Sequence, residues 1–234
     1  WSRALAIFRQ MGIRGAEPNV VSFSAMISAL AKGGRWDLAL LLLDEARAGN
    51  VTPNIFTYNA AISACERGHQ WSGALQLLTE ARSASLADVI GLNAAISACS
   101  KALQWQRALL LAHRGAFFPT GAVRLEPTAV TFNASIGACG AGSHWTLALQ
   151  LLSEMPSSKV QPDHVTLGAA TSALGEASQW SRALLVLEDF QRNRGLAADQ
   201  ISLSAATAAC ARGHAWAAAL GMLREMKARS FEPH

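Results

Sequence analysis

No apolar run in this sequence approaches the roughly 18 residues that a membrane-spanning helix requires. The stretch Leu-Ala-Leu-Leu-Leu-Leu at 38–43 is ended by Asp44 and Glu45, and no membrane partner is expected. Charge is also scarce: 15% of the 234 residues are charged while 51% are hydrophobic, with a single tyrosine among the aromatics. So little charge suits an elongated stack of helices, each buried on several sides, better than a compact globule. The net charge of +4 gives only a mild bias toward anionic partners. The opening stretch WSRALAIFRQ has neither a charged leader before an apolar core nor an Arg/Ser-rich presequence, so no targeting segment is visible.

What the sequence does have is a period. Its seven tryptophans are Trp1, Trp36, Trp71, Trp105, Trp145, Trp180 and Trp216, with successive gaps of 35, 35, 34, 40, 35 and 36 residues. Each opens a W-x-x-A-L pattern, from WSRAL through WDLAL, WSGAL, WQRAL, WTLAL and WSRAL to WAAAL. An internal repeat of about 35 residues follows, the signature of stacked helical units.

One unit can be read locally. In VVSFSAMISALAKGG, Phe23, Met26, Ile27 and Leu30 have the spacing of an amphipathic helix, which Gly33 and Gly34 break. RWDLALLLLDEARAG is a second helix ending at Gly49, after which Pro53 prevents continuation and Asn54 offers a cap to the next helix. The expected architecture is all-α, a right-handed α-solenoid or superhelix of tandem helix-turn-helix repeats. A partial repeat, second helix only, occupies 1–19. Full repeats follow at 20–54, 55–88, 89–128, 129–163, 164–199 and 200–234, together one solenoid domain. The third carries extra residues around AHRGAFFPTGAVRLEPT, expected to bulge after its second helix.

The register assigns the tryptophans to architecture, each a flat ring wedged between its own two helices and the next hairpin. In the Gly-His turns before Trp71 and Trp216, Gly68 and Gly213 are expected to supply the unusual backbone angle. Cys65, Cys99, Cys139 and Cys210 share the eleventh place of their units with Leu30 and Leu174, which marks a small apolar core site. Neither disulfides nor a metal are expected, despite the Cys65/His69 and Cys210/His214 spacings, and free thiols fit a reducing compartment. No Ser/His/Asp set, phosphate loop or carboxylate pair stands out; Glu154, Glu188 and Asp189 read as solvated helix faces. The chain is expected to hold no catalytic site and no cofactor.

The units VVSFSAMISALAKGGRWDLALLLLDEARAGNVTPN, IFTYNAAISACERGHQWSGALQLL and AVTFNASIGACGAGSHWTLALQLLSEMPSSKVQPD resemble the pentatricopeptide repeat family, in a P-type-like tandem array covering essentially the whole chain. Tetratricopeptide repeats share the period, but their W-x2-L-G-x2-Y set is missing. The resemblance implies single-stranded RNA as partner, one nucleotide per repeat, with bases read by the fifth and last residues of each unit. It further implies that the second residue packs between neighbouring bases.

The second places are Val21, Phe56, Ile90, Val130, Val165 and Ile201, for which core packing and base packing both stand as readings. The fifth places Ser24, Asn59, Asn93 and Asn133 are polar within apolar helices; they can face a base edge or hydrogen-bond locally to backbone. The closing residues Asn54, Asp88, Asp163 and Asp199 are also candidate helix caps. By similarity to the family's code, Ser24 with Asn54 looks like an adenine reader, and Asn59 with Asp88 and Asn133 with Asp163 look like uracil readers. Asn93 with Thr128 suggests a pyrimidine. Gly168 has no side chain to read with beside Asp199, and Ser204 with His234 is unassigned. The implied core is A-U-Y-U.

Lys32, Arg67, Lys101 and Arg212 share the thirteenth place and are the candidate phosphate contacts, a series that Ala141 and Glu176 interrupt. Favourable placement at a helix end is the alternative reading of these cations. Because Trp1 begins at a second helix, the chain is expected to be a piece of a longer array. The resemblance places family members in plastid or mitochondrion, in RNA processing, stability, editing or translation. A protein-binding α-solenoid scaffold is the competing function, with protein partners in place of RNA.

Overall fold

The structure is a computed structural model, and it describes residues 1–13, 16–115, 126–193 and 195–229. Among these residues it is all-α. Where the sequence reading joins every repeat in one solenoid domain, the contacts divide the chain into two compact units, Trp1–Glu126 and Pro127–His234. The divide falls at the insertion of the third repeat, whose expected bulge at 116–125 lies outside the described residues.

The first unit holds α1 (Ser2–Ile13), α2 (Val20–Lys32), α3 (Trp36–Ala48), α4 (Ile55–Arg67), α5 (Trp71–Ser83), α6 (Val89–Lys101) and α7 (Trp105–Gly115). The second holds α8 (Ala129–Ala141), α9 (Trp145–Glu154), α10 (His164–Glu176), α11 (Trp180–Asn193), α12 (Gln200–Arg212) and α13 (Trp216–Ala228). Each repeat is a helical hairpin, and α1 is the lone second helix expected at 1–19. Within the first unit, α2 packs on α4 and α4 on α6; within the second, α8 packs on α10 and α10 on α12. The first helices thus form one layer within each unit, and α3, α5, α9 and α11 each lie against the first helix of their own hairpin and of the next.

The recurrent residues explain this stacking. The alanine of W-x-x-A-L is fully buried at Ala39, Ala74, Ala108, Ala148 and Ala183, where a larger side chain would separate the helices. The eleventh places Leu30, Cys65, Cys99, Cys139, Leu174 and Cys210 are all buried, as a small apolar core site requires. Burial raises the thiols of Cys65, Cys99 and Cys139 to about 11 and shifts that of Cys210 in the same direction.

Both ends of the first helices are closed by repeated chemistry. Asn19, Asn54, Asp88, Asp163 and Asp199 accept backbone N–H groups of the following first turn, each cap contributing about 1 kcal/mol. At the other end the fifteenth place takes a left-handed conformation: Gly34, His69, Leu103, Ser143, Ser178 and His214 have φ between 56° and 69°. In each case the next N–H returns to the eleventh-place carbonyl, as Gln70 N does to Cys65 O at 2.8 Å, which is a Schellman closure.

These closures correct the sequence reading of the Gly-His turns. The left-handed residues are His69 and His214, while Gly68 and Gly213 have φ of −85° and −84°. The glycines are required for space. A Cβ on Gly68 would lie 2.2 Å from Cδ1 of Trp36, and one on Gly213 would lie 2.1 Å from Cδ1 of Trp180. The tryptophans are half-buried at Trp36, Trp71, Trp105, Trp145 and Trp180, and they pack against the next hairpin as expected: Trp36 meets Gly68, Trp180 meets Gly213, and Trp145 and Trp180 lie against the buried Leu174, Ala183 and Ala209. The Arg107 guanidinium lies 3.9 Å from the ring centroid of Trp71, and that of Arg182 lies 3.8 Å from that of Trp145. Trp216, which no later hairpin covers among the described residues, is 74% exposed.

Candidate nucleic-acid interface

The second places lie outside the core. Val21, Phe56, Ile90, Val130, Val165 and Ile201 are between 59% and 72% exposed, so none is a core residue. An exposed aliphatic or aromatic side chain at the same place of six successive first helices is a regular surface feature; scattered exposed apolar residues would need no explanation.

In the first unit Val21, Phe56 and Ile90 line an open groove of about 720 Å³ along α2 and α4. Its walls bring together Val21, Phe56 and Ile90, the fifth-place residues Ser24 and Asn59, the cap Asn54, and the basic residues Lys32 and Arg67. The floor between them is small: Ala25, Ser28, Ala31, Ala60 and Ser63. A flat ring could enter between the second-place side chains with its edge toward the polar groups.

The expected reader pairs meet. Asn59 Nδ2 donates to Asp88 Oδ2 at 3.0 Å while Asp88 Oδ1 accepts Gly91 N at 2.9 Å, so the carboxylate caps α6 and orients the amide together. In the second unit Asn133 Nδ2 donates to Asp163 Oδ1 at 3.3 Å. Burial alone would raise the Asp163 pKa, but the Thr166 backbone N–H, the Thr166 hydroxyl and the Asn133 amide together hold it below the ordinary carboxylate value. An ionised carboxylate only accepts, so the amide nitrogen of each asparagine faces its aspartate and the carbonyl faces away. Ser24 joins Asn54 indirectly, through Thr57: Ser24 Oγ lies 2.7 Å from Thr57 Oγ1, which lies 2.9 Å from Asn54 Oδ1. It also donates to Val20 O at 2.7 Å, the local backbone bond considered for these residues; the asparagines use their nitrogens on the caps instead.

The remaining positions differ. Asn93 is half-buried and Thr128 caps α8 with Thr131 as its reciprocal partner. Gly168 is buried beneath Ile201, and Asp199 caps α12 through Ser202 N at 2.8 Å. Ser204 Oγ is buried without a hydrogen-bond partner, and its companion His234 lies outside the described residues. Among the cations, Lys101 pairs with Glu66 at 2.9 Å, and Arg212 donates to Gly175 O at 2.8 Å and pairs with Glu176 at 3.4 Å. Lys32 and Arg67 are exposed at the groove and form no ion pair among the described residues.

Sequence reasoning missed the third place. Thr57, Thr131, Thr166 and Ser202 are buried hydroxyls, of which Thr57 and Thr166 link a cap to the fifth residue of the preceding repeat. A Thr or Ser recurring three positions after the cap was the available signal.

No group of three or more His, Cys, Asp or Glu capable of holding a metal occurs among the described residues, and no helix there is long and apolar enough to cross a membrane.

A stack of helical hairpins that presents exposed apolar side chains and paired polar groups at one repeated place defines a repeat-built binding scaffold. Residues 18–67 match the PPR repeat family and residues 56–86 the PPR repeat. Residues 18–86 thus match pentatricopeptide repeats, and the described residues fold as tandem helical repeats. The chain is similar to the crystal structure of PPR10 from maize, with 24% identity and a TM-score of 0.71, over 100% of this chain and 38% of that one. PPR10 in complex with an 18-nt psaJ RNA element matches with 17% identity and a TM-score of 0.53, over 98% and 38% of the two chains. The PPR domain of Arabidopsis thaliana PRORP1 in complex with tRNA matches with 14% identity and a TM-score of 0.59, over 75% and 90%. The chain therefore spans well under half the length of PPR10. No curated protein matches it.

Proposed function

We propose that this chain binds single-stranded RNA through its first helices, one nucleotide per repeat, and acts in plastid or mitochondrial RNA processing, stability, editing or translation. The observation that carries the reading is the first-unit groove, where exposed Phe56 and Ile90 flank the Asn59–Asp88 pair and unpaired Lys32 and Arg67 lie at the rim. Each component has a nucleic-acid role. Apolar side chains stack on base faces, a fixed amide offers a donor and an acceptor to a pyrimidine edge, and cations neutralise phosphate. That PPR10 and PRORP1 are crystallised with RNA supports the same ligand class.

Asn59 with Asp88 and Asn133 with Asp163 read uracil, Ser24 with Asn54 reads adenine, and Asn93 with Thr128 reads a pyrimidine. The fifth and sixth repeats, with Gly168 and Ser204, contribute little base choice. The chain supplies recognition; no residue here is assigned a catalytic role.

The test is titration of a fluorescent RNA containing A-U-U-U, beside the same RNA with every U changed to G, at several salt concentrations. Preference for the first, weakening as salt rises, supports the proposal. Equal and salt-independent binding contradicts it, and absence of binding leaves the protein-scaffold alternative in its place.

A further inference from the structure

The buried hydroxyls at the third place are not exhausted by capping. Thr166 Oγ1 donates to Asn133 Oδ1 at 2.7 Å, lies 2.9 Å from Asp163 Oδ1, and receives the Asp163 backbone N–H at 3.1 Å. The Asn133 amide is therefore held at both ends, its oxygen by Thr166 and its nitrogen by Asp163.

Asn59 has the same aspartate partner and a different neighbour. Gly91 stands at the third place there, with no hydroxyl to offer, and even a Cβ would lie 2.7 Å from Asn59 Oδ1. The Asn59 amide is held through its nitrogen alone. Two repeats with the same reader pair thus present amides of unequal freedom.

Uracil and cytosine differ on their pairing edges by exchange of donor and acceptor at N3 and at the C4 substituent. An amide that turns over can serve either base; one held at both ends serves only one. Turning Asn133 over sets its carbonyl against the Asp163 carboxylate and forces the Thr166 hydroxyl to change from donor to acceptor, whereas turning Asn59 over disturbs its bond to Asp88 alone.

We propose that the third-place residue of the following repeat is a positioning residue for base choice: Thr166 sharpens the uracil preference of Asn133, and Gly91 leaves that of Asn59 looser. The inference rests on the RNA-binding reading above. Removing one such bond is expected to lower discrimination about fivefold to tenfold.

The experiment measures affinities for RNA pairs differing by U or C at a single nucleotide. The nucleotide facing each reader is identified as the one whose preference changes in Asn133→Ser or Asn59→Ser. In the wild-type protein the U-to-C ratio is expected to be larger opposite Asn133 than opposite Asn59. Thr166→Val, which keeps the volume and removes the hydroxyl, should bring the Asn133 ratio down to that of Asn59 without moving the Asn59 ratio. Thr166→Ser should retain it. Because the valine can also weaken the cap, Thr166→Gly, which reproduces the residue found at Gly91, serves as a second variant with the same expected drop. A ratio unchanged in Thr166→Val and Thr166→Gly overturns the inference while leaving RNA binding intact. A wild-type protein that retains no RNA overturns the functional reading itself, and this inference with it.

Discussion

Asn59 Nδ2 donates to Asp88 Oδ2 at 3.0 Å across the junction of two repeats, so the residue that caps one first helix also orients a polar group on the preceding one. On the proposed reading, folding and recognition share this carboxylate. Asp88→Ala is expected to destabilise the first unit by about 1 kcal/mol through loss of the cap. Asp88→Asn, which keeps an acceptor for Gly91 N, should preserve thermal stability and lose base preference; melting curves alongside U-versus-C binding separate the two effects.

Phe56 is 72% exposed and lies in the first-unit groove. Stacking on a base is worth roughly 1–3 kcal/mol, so Phe56→Ala should weaken RNA binding at least several-fold. Since the ring is not part of the core, the melting temperature should be nearly unchanged.

Lys32 and Arg67 form no ion pair among the described residues, whereas Lys101 is engaged by Glu66. Single-stranded sites lose about 0.7 in the slope of log affinity against log salt per phosphate contact. The Lys32→Gln, Arg67→Gln pair should therefore reduce the slope by about 1.4. Lys101→Gln should change it much less, as a salt titration of the three proteins will show.

Gly68 meets Trp36 where a Cβ would lie 2.2 Å from the ring. Gly68→Ala is expected to destabilise by about 1–3 kcal/mol through overpacking. The neighbouring His69, at φ 56°, has the opposite sign: His69→Gly removes a left-handed side-chain penalty and should stabilise by up to about 1 kcal/mol. Denaturant unfolding of both variants checks the assignment of spatial and conformational roles.

The Cys65, Cys99 and Cys139 thiols, raised to about 11 by burial, remain protonated in the folded chain at pH 8. Iodoacetamide should label them only after denaturation. A raised thiol pKa means the folded state keeps protons that the unfolded state releases, so this contribution is complete below the ordinary thiol value and is lost as pH rises toward about 11. Stability measured across that alkaline window should fall.

Much of this fold was legible because each repeat repeats its errors and its necessities alike. The tryptophan period fixed the hairpins, and the two sequence features used to end α2, Gly33 and Gly34, do stand at its end. The cysteine register correctly marked a core site. The side-chain geometry was less legible. Whether Val21 or Phe56 is core depends on which face of an apolar helix the next hairpin leaves open, and helices that are apolar nearly all round carry no such mark. The Gly-His turn was misread because a glycine can serve either a left-handed angle or a close approach, and only the position of Trp36 distinguishes them. Thr166 was missed because a hydroxyl three residues from a cap looks like local capping until its bond to Asn133, 33 residues away, is seen.

The central claim is that the first helices read RNA bases through their fifth-place residues. Its most direct test is selection from a randomised single-stranded RNA pool with the wild-type chain and with Asn133→Ser, sequencing what each retains. Enrichment of A-U-Y-U by the wild type, with the final uracil preference alone altered in the variant, is the expected result. Retention of the same sequences by both proteins, or of none at low salt, would contradict it.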